Sequence, residues 1–251
     1  MKPLSVVIIC RNEEKIIGTT IESVKDITDD IVCVDNGSTD NTLSVIKQFG
    51  ARLEETIWEG FGKTRNKALA FAKYDWILML DADEPVDTVL KQSILNENFT
   101  DPYLVYKLTR KNYFAGTHLK FGEWGRKASH IRLFHRDYTK WEEAEVHEKV
   151  ILPPGAVVKT LNGHILHYTA DNVTDFETKM TKYAFLSAHK YYRYGTKSNF
   201  FKIYISPVFS FILNYFFRLG FLDGTRGFFI ARTSALYTHL KYVILRKMQR
   251  S

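Results

Sequence analysis

Trp76-Ile77-Leu78-Met79-Leu80-Asp81-Ala82-Asp83-Glu84-Pro85 is an apolar run that ends in two carboxylates separated by one small residue. Bounded by Asp75 and Asp81, it is too short for an ordinary helix and reads as a central strand buried on both faces of an α/β sheet. Asp81 and Asp83 then stand at its carboxyl end, the edge where open α/β sheets bind their ligands. Hard oxygen donors there suit Mg²⁺ or Mn²⁺ bridging to a diphosphate. Taken alone, Asp-Ala-Asp reads better as a cap on the next helix or as water-facing charge, so the neighbouring segments decide.

Upstream, Leu4–Cys10 is a β-branched apolar run, followed by the polar Arg11-Asn12-Glu13-Glu14 and an amphipathic segment carrying Ile16, Ile17, Ile21 and Val24. Asp30–Asp35 repeats the strand pattern, and Asn36-Gly37-Ser38-Thr39-Asp40 supplies a turn and helix cap. A third strand is expected near Arg52–Ile57 and a helix from about Lys63 to Lys73. Strands alternating with helices predict a parallel sheet with right-handed crossovers. Asn12, Glu14, Asp35, Asp81 and Asp83 are therefore expected to converge on one crevice.

Downstream of a helix expected at 86–97, shorter β-like pieces follow at Tyr103–Thr109, Ile131–His135, Lys149–Leu152 and His164–Tyr168. The loops Gly116–Lys127 and Tyr138–His147 between them are the expected acceptor-binding loops. Helical periodicity returns from Asn172. Ile203–Phe217 is strongly apolar but only 15 residues long and contains Pro207 and Asn214. A spanning helix needs roughly 20 residues, so an interfacial or re-entrant segment is expected.

Charge divides the chain. Residues 1–178 hold 22 Lys+Arg against 27 Asp+Glu, whereas residues 179–251 hold 13 against Asp223 alone. A basic, aromatic-rich tail predicts an anionic membrane surface, with Arg226–Arg250 as an amphipathic helix upon it. No RNP-type or helix-turn-helix pattern supports nucleic acid as the partner. Cys10 and Cys33, both in expected buried strands, read as reduced thiols. Leu4–Cys10 reads as a first strand and not as a leader, which predicts a cytoplasmic protein.

Two other nucleotide motifs are excluded. The first strand is not followed by Gly-x-Gly-x-x-Gly, and Gly62-Lys63-Thr64 imitates a P-loop ending with Ile57 where its first glycine belongs. The set Asn12-Glu13-Glu14, Asp35–Asp40, Arg65-Asn66 and Asp81-Ala82-Asp83 resembles the family 2 glycosyltransferases of the GT-A fold, over roughly residues 4–170 and most strongly over 4–85. The resemblance implies a mixed central sheet with a helical tail; with the charge division above, a transferase domain at 1–195 and a basic membrane-associated region at 196–251 are expected. It implies that Asp35 binds the nucleobase, that Asn12 and Glu14 line the nucleotide pocket, and that Arg65 approaches base or diphosphate. Asp81 would face the ribose or metal-bound water, Asp83 would ligate the cation, and Arg126 and Arg132 would hold the diphosphate or the acceptor.

The acceptor hydroxyl needs a carboxylate to take its proton. Arg132-Leu133-Phe134 with Val146-His147-Glu148 looks like the arrangement in a subgroup of the family, which implies Glu148 as that base, with Glu145 or Glu123 as alternatives. His167 matches the carboxyl-terminal metal-ligand histidine of such enzymes, with His164 as the alternate. Those segments, with Phe221-Leu222-Asp223-Gly224 and Gly227, are similar to bacterial enzymes that glucosylate the lipopolysaccharide inner core. The expectation is metal-dependent, inverting transfer of a hexose, glucose first, from a UDP-sugar to a lipid-linked glycan at the inner face of the cytoplasmic membrane. The rivals are a polyprenyl-phosphate glycosyltransferase and a non-catalytic membrane-binding protein.

Overall fold

The computed structural model describes residues 1–143 and 149–250. In chain order the first half comprises β1 (Leu4–Cys10), α1 (Ile17–Val24), β2 (Asp30–Asp35), α2 (Thr42–Gln48), β3 (Arg52–Glu55), α3 (Phe61–Ala68), β4 (Trp76–Asp81) and α4 (Thr88–Leu95). Ile77, Leu78, Met79 and Leu80 of β4 have no solvent exposure. Leu78 and Leu80 pack with Val6, Ile8, Ile17 and Ile21 on one face, while Ile77 and Met79 pack with Val7, Val32 and Leu69 on the other. A strand covered on both faces has no solvent side to alternate with, which explains its unbroken apolar sequence. Each such side chain contributes about 1.5–3 kcal/mol on burial.

Strands β1, β2, β3 and β4 are parallel, in the order β3-β2-β1-β4. Cys10 pairs with Asp35 and Ile9 with Asp81, so the two acids end their strands at the same edge. Beyond β4 the direction changes. The later strands are β5 (Leu104–Phe114), β6 (Thr117–His118), β7 (Ala128–His135), β8 (Lys140–Trp141), β9 (Val150–Ile151) and β10 (Val157–Ala170). Strand β7 runs antiparallel to both β4 and β5, β10 lies outside β5, and β8 with β9 forms a separate hairpin. The sheet is therefore mixed, as expected.

Some boundaries differ from the sequence expectation. The third helix stops at Ala68 and gives way to a 3₁₀ turn at Leu69–Phe71. Lys73, the expected end of that helix, instead donates its backbone N–H to the Asp30 carboxylate at 2.8 Å. The pieces expected at 103–109 and 164–168 are parts of the longer strands β5 and β10. The start of β10 is largely exposed, so its sequence carries little apolar alternation to mark it.

The chain forms two compact units: Met1–Arg110 with Lys127–His167, and Lys111–Arg126 with Tyr168–Ser251. In the second, α5 (Val173–Arg193) is capped by Asn172, whose side chain accepts from the Asp175 N–H. A continuous helical run follows, with α6 (Ser206–Ile212) between π-helical turns at Phe201–Ile205 and Leu213–Phe217. It ends at a sharp bend before α7 (Gly224–Met248). A Cβ on Gly227 would lie 1.8 Å from the Gly220 carbonyl oxygen, so the bend closes only on glycine. Phe114, Leu119, Phe176 and Ile230 form this unit's apolar core, with Trp124 packed against it. Among the described residues no single helix is long and apolar enough to cross a membrane. Phe201–Phe217 and Gly220–Met248 suffice together in length and composition but are bent by 71°.

Candidate active site

The loops after β1 and β2 are stitched together by their polar side chains. Asn12 adopts φ +56°, a left-handed conformation that asparagine tolerates better than most residues. Its Oδ1 accepts the Thr39 N–H at 2.7 Å and its own N–H donates to Ser38 Oγ at 2.8 Å. Glu14 accepts the Asn41 N–H at 2.9 Å. Asp35 is buried, and its Oδ2 accepts the backbone N–H groups of Gly37 and Ser38, each at 2.8 Å. The chain polarity that the motif Asp35–Asp40 supplies is thus used to shape the rim of the sheet.

A cleft of about 630 Å³ opens beside this rim, lined by Arg11, Asp35, Asn36, Glu55, Thr56 and Trp58 among others. Asn36 is 5% exposed. Its side-chain oxygen is buried without a hydrogen-bond partner, while its amide N–H₂ reaches the Thr56 carbonyl at 3.4 Å. A buried acceptor left this way is costly.

Asp81 and Asp83 occupy different surroundings. Arg65, from α3, donates to Asp81 Oδ1 at 2.7 Å, and Arg132, from β7, donates to Asp81 Oδ2 at 3.0 Å. Burial alone would raise the Asp81 pKa, but the positive charges of Arg65 and Arg132 outweigh it and hold the carboxyl well below the usual range. Arg132 also lies 2.9 Å from the carboxylate of Glu84, which is fully buried and has Arg110 at 3.7 Å. Glu84 in turn accepts the Asp81 N–H at 3.2 Å. His130, on β7, is pushed down to about 4 by loss of surrounding water and by Arg132 and Arg110. It is therefore a neutral side chain at physiological pH.

Arg65 also lies 4.8 Å from the Trp141 ring centroid, a cation–π distance. Asn66, its neighbour, clamps the β8–β9 hairpin through both backbone groups of Trp141, each at 2.9 Å. Arg65-Asn66 therefore performs two jobs: one residue holds Asp81, the other fixes the hairpin base.

Asp83 Oδ2 lies 3.5 Å from His167 Nε2, and both side chains are 10% exposed. Among the described residues no three His, Cys, Asp or Glu side chains are grouped to hold an ion. One carboxylate and one imidazole are nevertheless a suitable protein share for a cation that keeps waters and takes phosphate oxygens from its substrate. The donor set fits Mg²⁺ or Mn²⁺ on those terms. The alternate, His164, is held by Asp87 at 3.1 Å, at the amino end of α4.

Glu148, with Glu145 and His147, lies outside the described residues. Arg126 and Glu123 belong to the second unit; Arg126 is exposed, and Glu123 accepts from Asn214 Nδ2 at 3.3 Å. The sequence reading missed Glu84, Arg110, Asn36, Trp58 and Trp141. Glu84 stood inside the quoted acidic run, and no sequence signal set it apart from its neighbours as the buried acid.

The glycosyl transferase family 2 model matches residues 5–149. The lipopolysaccharide core biosynthesis glycosyltransferase LpsC of Rhizobium meliloti is 29% identical over 248 residues, covering 95% of this chain and 90% of that protein. An uncharacterised glycosyltransferase of Rickettsia typhi is 28% identical over 258 residues, covering 99% and 88%. Among solved structures, glucosyl-3-phosphoglycerate synthase from Mycobacterium tuberculosis in complex with Mn²⁺ and UDP-glucose is 22% identical over 45% of this chain and 44% of that one, with a TM-score of 0.36.

Proposed function

This chain belongs to glycosyl transferase family 2, and we propose that it moves a hexose, glucose first, from a UDP-sugar to a lipid-linked glycan of the lipopolysaccharide core type, with inversion. The observation that carries the reading is the edge shared by Asp35 and Asp81, where Asp81 is neutralised by two arginines while Asp83 stands with His167. The core-glycan acceptor is supported by the similarity to LpsC. The lipid linkage, and a peripheral place on the inner face of the cytoplasmic membrane, rest on the basic tail. So does the division into a transferase domain to residue 195 and a membrane-apposed region beyond it.

In this reading the base enters the cleft lined by Asp35, Asn36 and Trp58. Arg65 and Arg132 fix the orientation of Asp81, and through it the loop that carries Asp83. Asp83 and His167 would hold a divalent cation, which when bound offsets negative charge developing on the diphosphate leaving group. A carboxylate then takes the proton of the attacking hydroxyl, a role this proposal gives to Glu148. A single displacement of this kind inverts C1.

The test is UDP release from a panel of UDP-sugars in the presence of Mn²⁺ and lipopolysaccharide-core acceptors. Transfer is expected with the intact protein, and Asp83→Ala is expected to lower the rate by roughly 10²-fold or more. An Asp83→Ala protein with the normal rate removes the metal assignment. No UDP affinity by calorimetry in the intact protein removes the donor assignment.

A further inference from the structure

Apolar residues in the helical run after Ser198 face the wrong way for a soluble protein. A surface helix ordinarily turns its apolar stripe to the core. Here Tyr204, Ile205, Val208, Phe209, Ile212 and Phe216 are all exposed, while Ile203, Pro207 and Asn214 face inward. Phe201 and Phe217, at the two ends, are 69% and 76% exposed. The spacing of the outward set follows successive helical turns, so it forms one stripe and not scattered singles. Exposed apolar patches of this continuity mark an interaction surface.

Charge identifies the partner. Lys197 and Lys202 flank the stripe at its amino end, and Arg218 and Arg226 follow its carboxyl end. Asp223, the one acid in residues 179–251, is turned onto the backbone N–H groups of Lys120 and Phe121 at 2.9–3.0 Å. An apolar stripe between basic ends, with its acid occupied, matches the acyl boundary and anionic headgroups of a bilayer. A helical run over residues 201–217 reaches at most about 25 Å, short of the roughly 30 Å hydrocarbon core. Helix α7 carries Arg226, Arg232, Lys241, Arg246 and Lys247 along its length, and its Gly227, Ile230, Ala231 and Leu245 are buried within its unit.

We infer that the protein inserts the outward stripe of Phe200–Leu222 into one leaflet, lying in the membrane plane, and that this stripe, not α7, is the membrane contact. The inference deepens the peripheral location proposed above and rests on that reading for the acceptor, though not for the lipid contact itself. Hydrophobic insertion holds the protein, and the flanking basic residues choose anionic lipid.

Vesicle flotation with phosphatidylethanolamine–phosphatidylglycerol and with phosphatidylcholine alone tests this on the intact chain. The wild type is expected to float with the anionic vesicles and to stay bound in about 1 M NaCl, where charges are screened beyond roughly 3 Å. Phe209→Asp with Phe216→Asp is expected to weaken binding by about tenfold or more, with circular dichroism and UDP binding unchanged. Phe209→Trp is expected to give blue-shifted, bromolipid-quenched emission on vesicles. Equal flotation of the double variant overturns the assignment, as does release of the wild type by salt without a fluorescence shift. A dimer in buffer that the double variant dissociates, with no flotation of either, assigns the stripe to a second copy instead. Flotation as expected from a protein with no UDP affinity leaves this inference standing and removes the donor reading.

Discussion

Replacing Arg132 with methionine isolates the arginine–carboxylate network beneath the site. Arg132 Nη2 sits 3.0 Å from Asp81 and 2.9 Å from Glu84, with the arginine side chain 6% exposed and that of Glu84 0%. Removing one partner of a buried ion pair leaves the other charge in a medium that solvates it poorly, at a cost of about 3–5 kcal/mol. Arg110, at 3.7 Å from Glu84, offsets part of that, so about 3 kcal/mol is expected. Urea unfolding followed by fluorescence measures it; urea adds no ions, so the result is unscreened. Glu84→Gln alone is expected to cost about 1–3 kcal/mol. The double variant should be more stable than the sum of the two by about 1–3 kcal/mol, the coupling of groups in one network. A loss below about 1 kcal/mol for Arg132→Met, or strict additivity in the cycle, refutes the assignment of Glu84 and Arg132 as a mutually dependent pair.

Three further outcomes follow from the geometry. Asn66→Ala removes both bonds that hold Trp141 and is expected to destabilise by about 1–2 kcal/mol, with hydrogen exchange at Trp141 rising more than elsewhere in the sheet. Gly227→Ala places a methyl against the Gly220 carbonyl and is expected to lower the melting temperature or prevent soluble expression, whereas Gly50→Ala, at an open position of positive φ, is expected to cost only about 1 kcal/mol. His130 is held neutral, its pKa lowered to about 4 from an ordinary value of about 6.5. The folded form therefore binds this proton less readily than the unfolded form, and stability falls as pH drops from about 6.5 toward 4, by a small amount because His130 is exposed and solvent screens its neighbours' charges. His130→Asn should remove that part of the acid sensitivity in pH-dependent urea curves while leaving pH 7–8 unchanged.

Strands β1, β2 and β4 of the parallel half were legible because they are buried on both faces, whereas the edge strand β3 is not. The expected bounds of β1 and β2 agree with the structure, and Asp35 and Asp81 fall at one edge as read from their strand ends. Chemistry between distant strands was not legible in the same way. Glu84, Arg110 and Arg132 meet from a turn and two separate strands, and no short motif contains them. The resemblance separated Asp81 from Asp83 but did not show the arginines that enclose Asp81, which come from α3 and β7. The apolar run at 203–217 was visible, but not the direction it faces, because periodicity shows that a helix has a stripe without saying which side meets the core.

Strand β4 has a consequence for synthesis. One of its edges pairs with β1, already made, while the other waits for β7. Residues 82–127 must emerge in between, which takes seconds at about 5–20 residues per second. For that interval the most apolar strand of the nascent sheet offers an open edge, a template for pairing with another chain. Yield in a cell is therefore expected to depend on how well that edge is shielded before β7 arrives, and to respond to chaperone supply and slower growth more than to the stability of the finished protein.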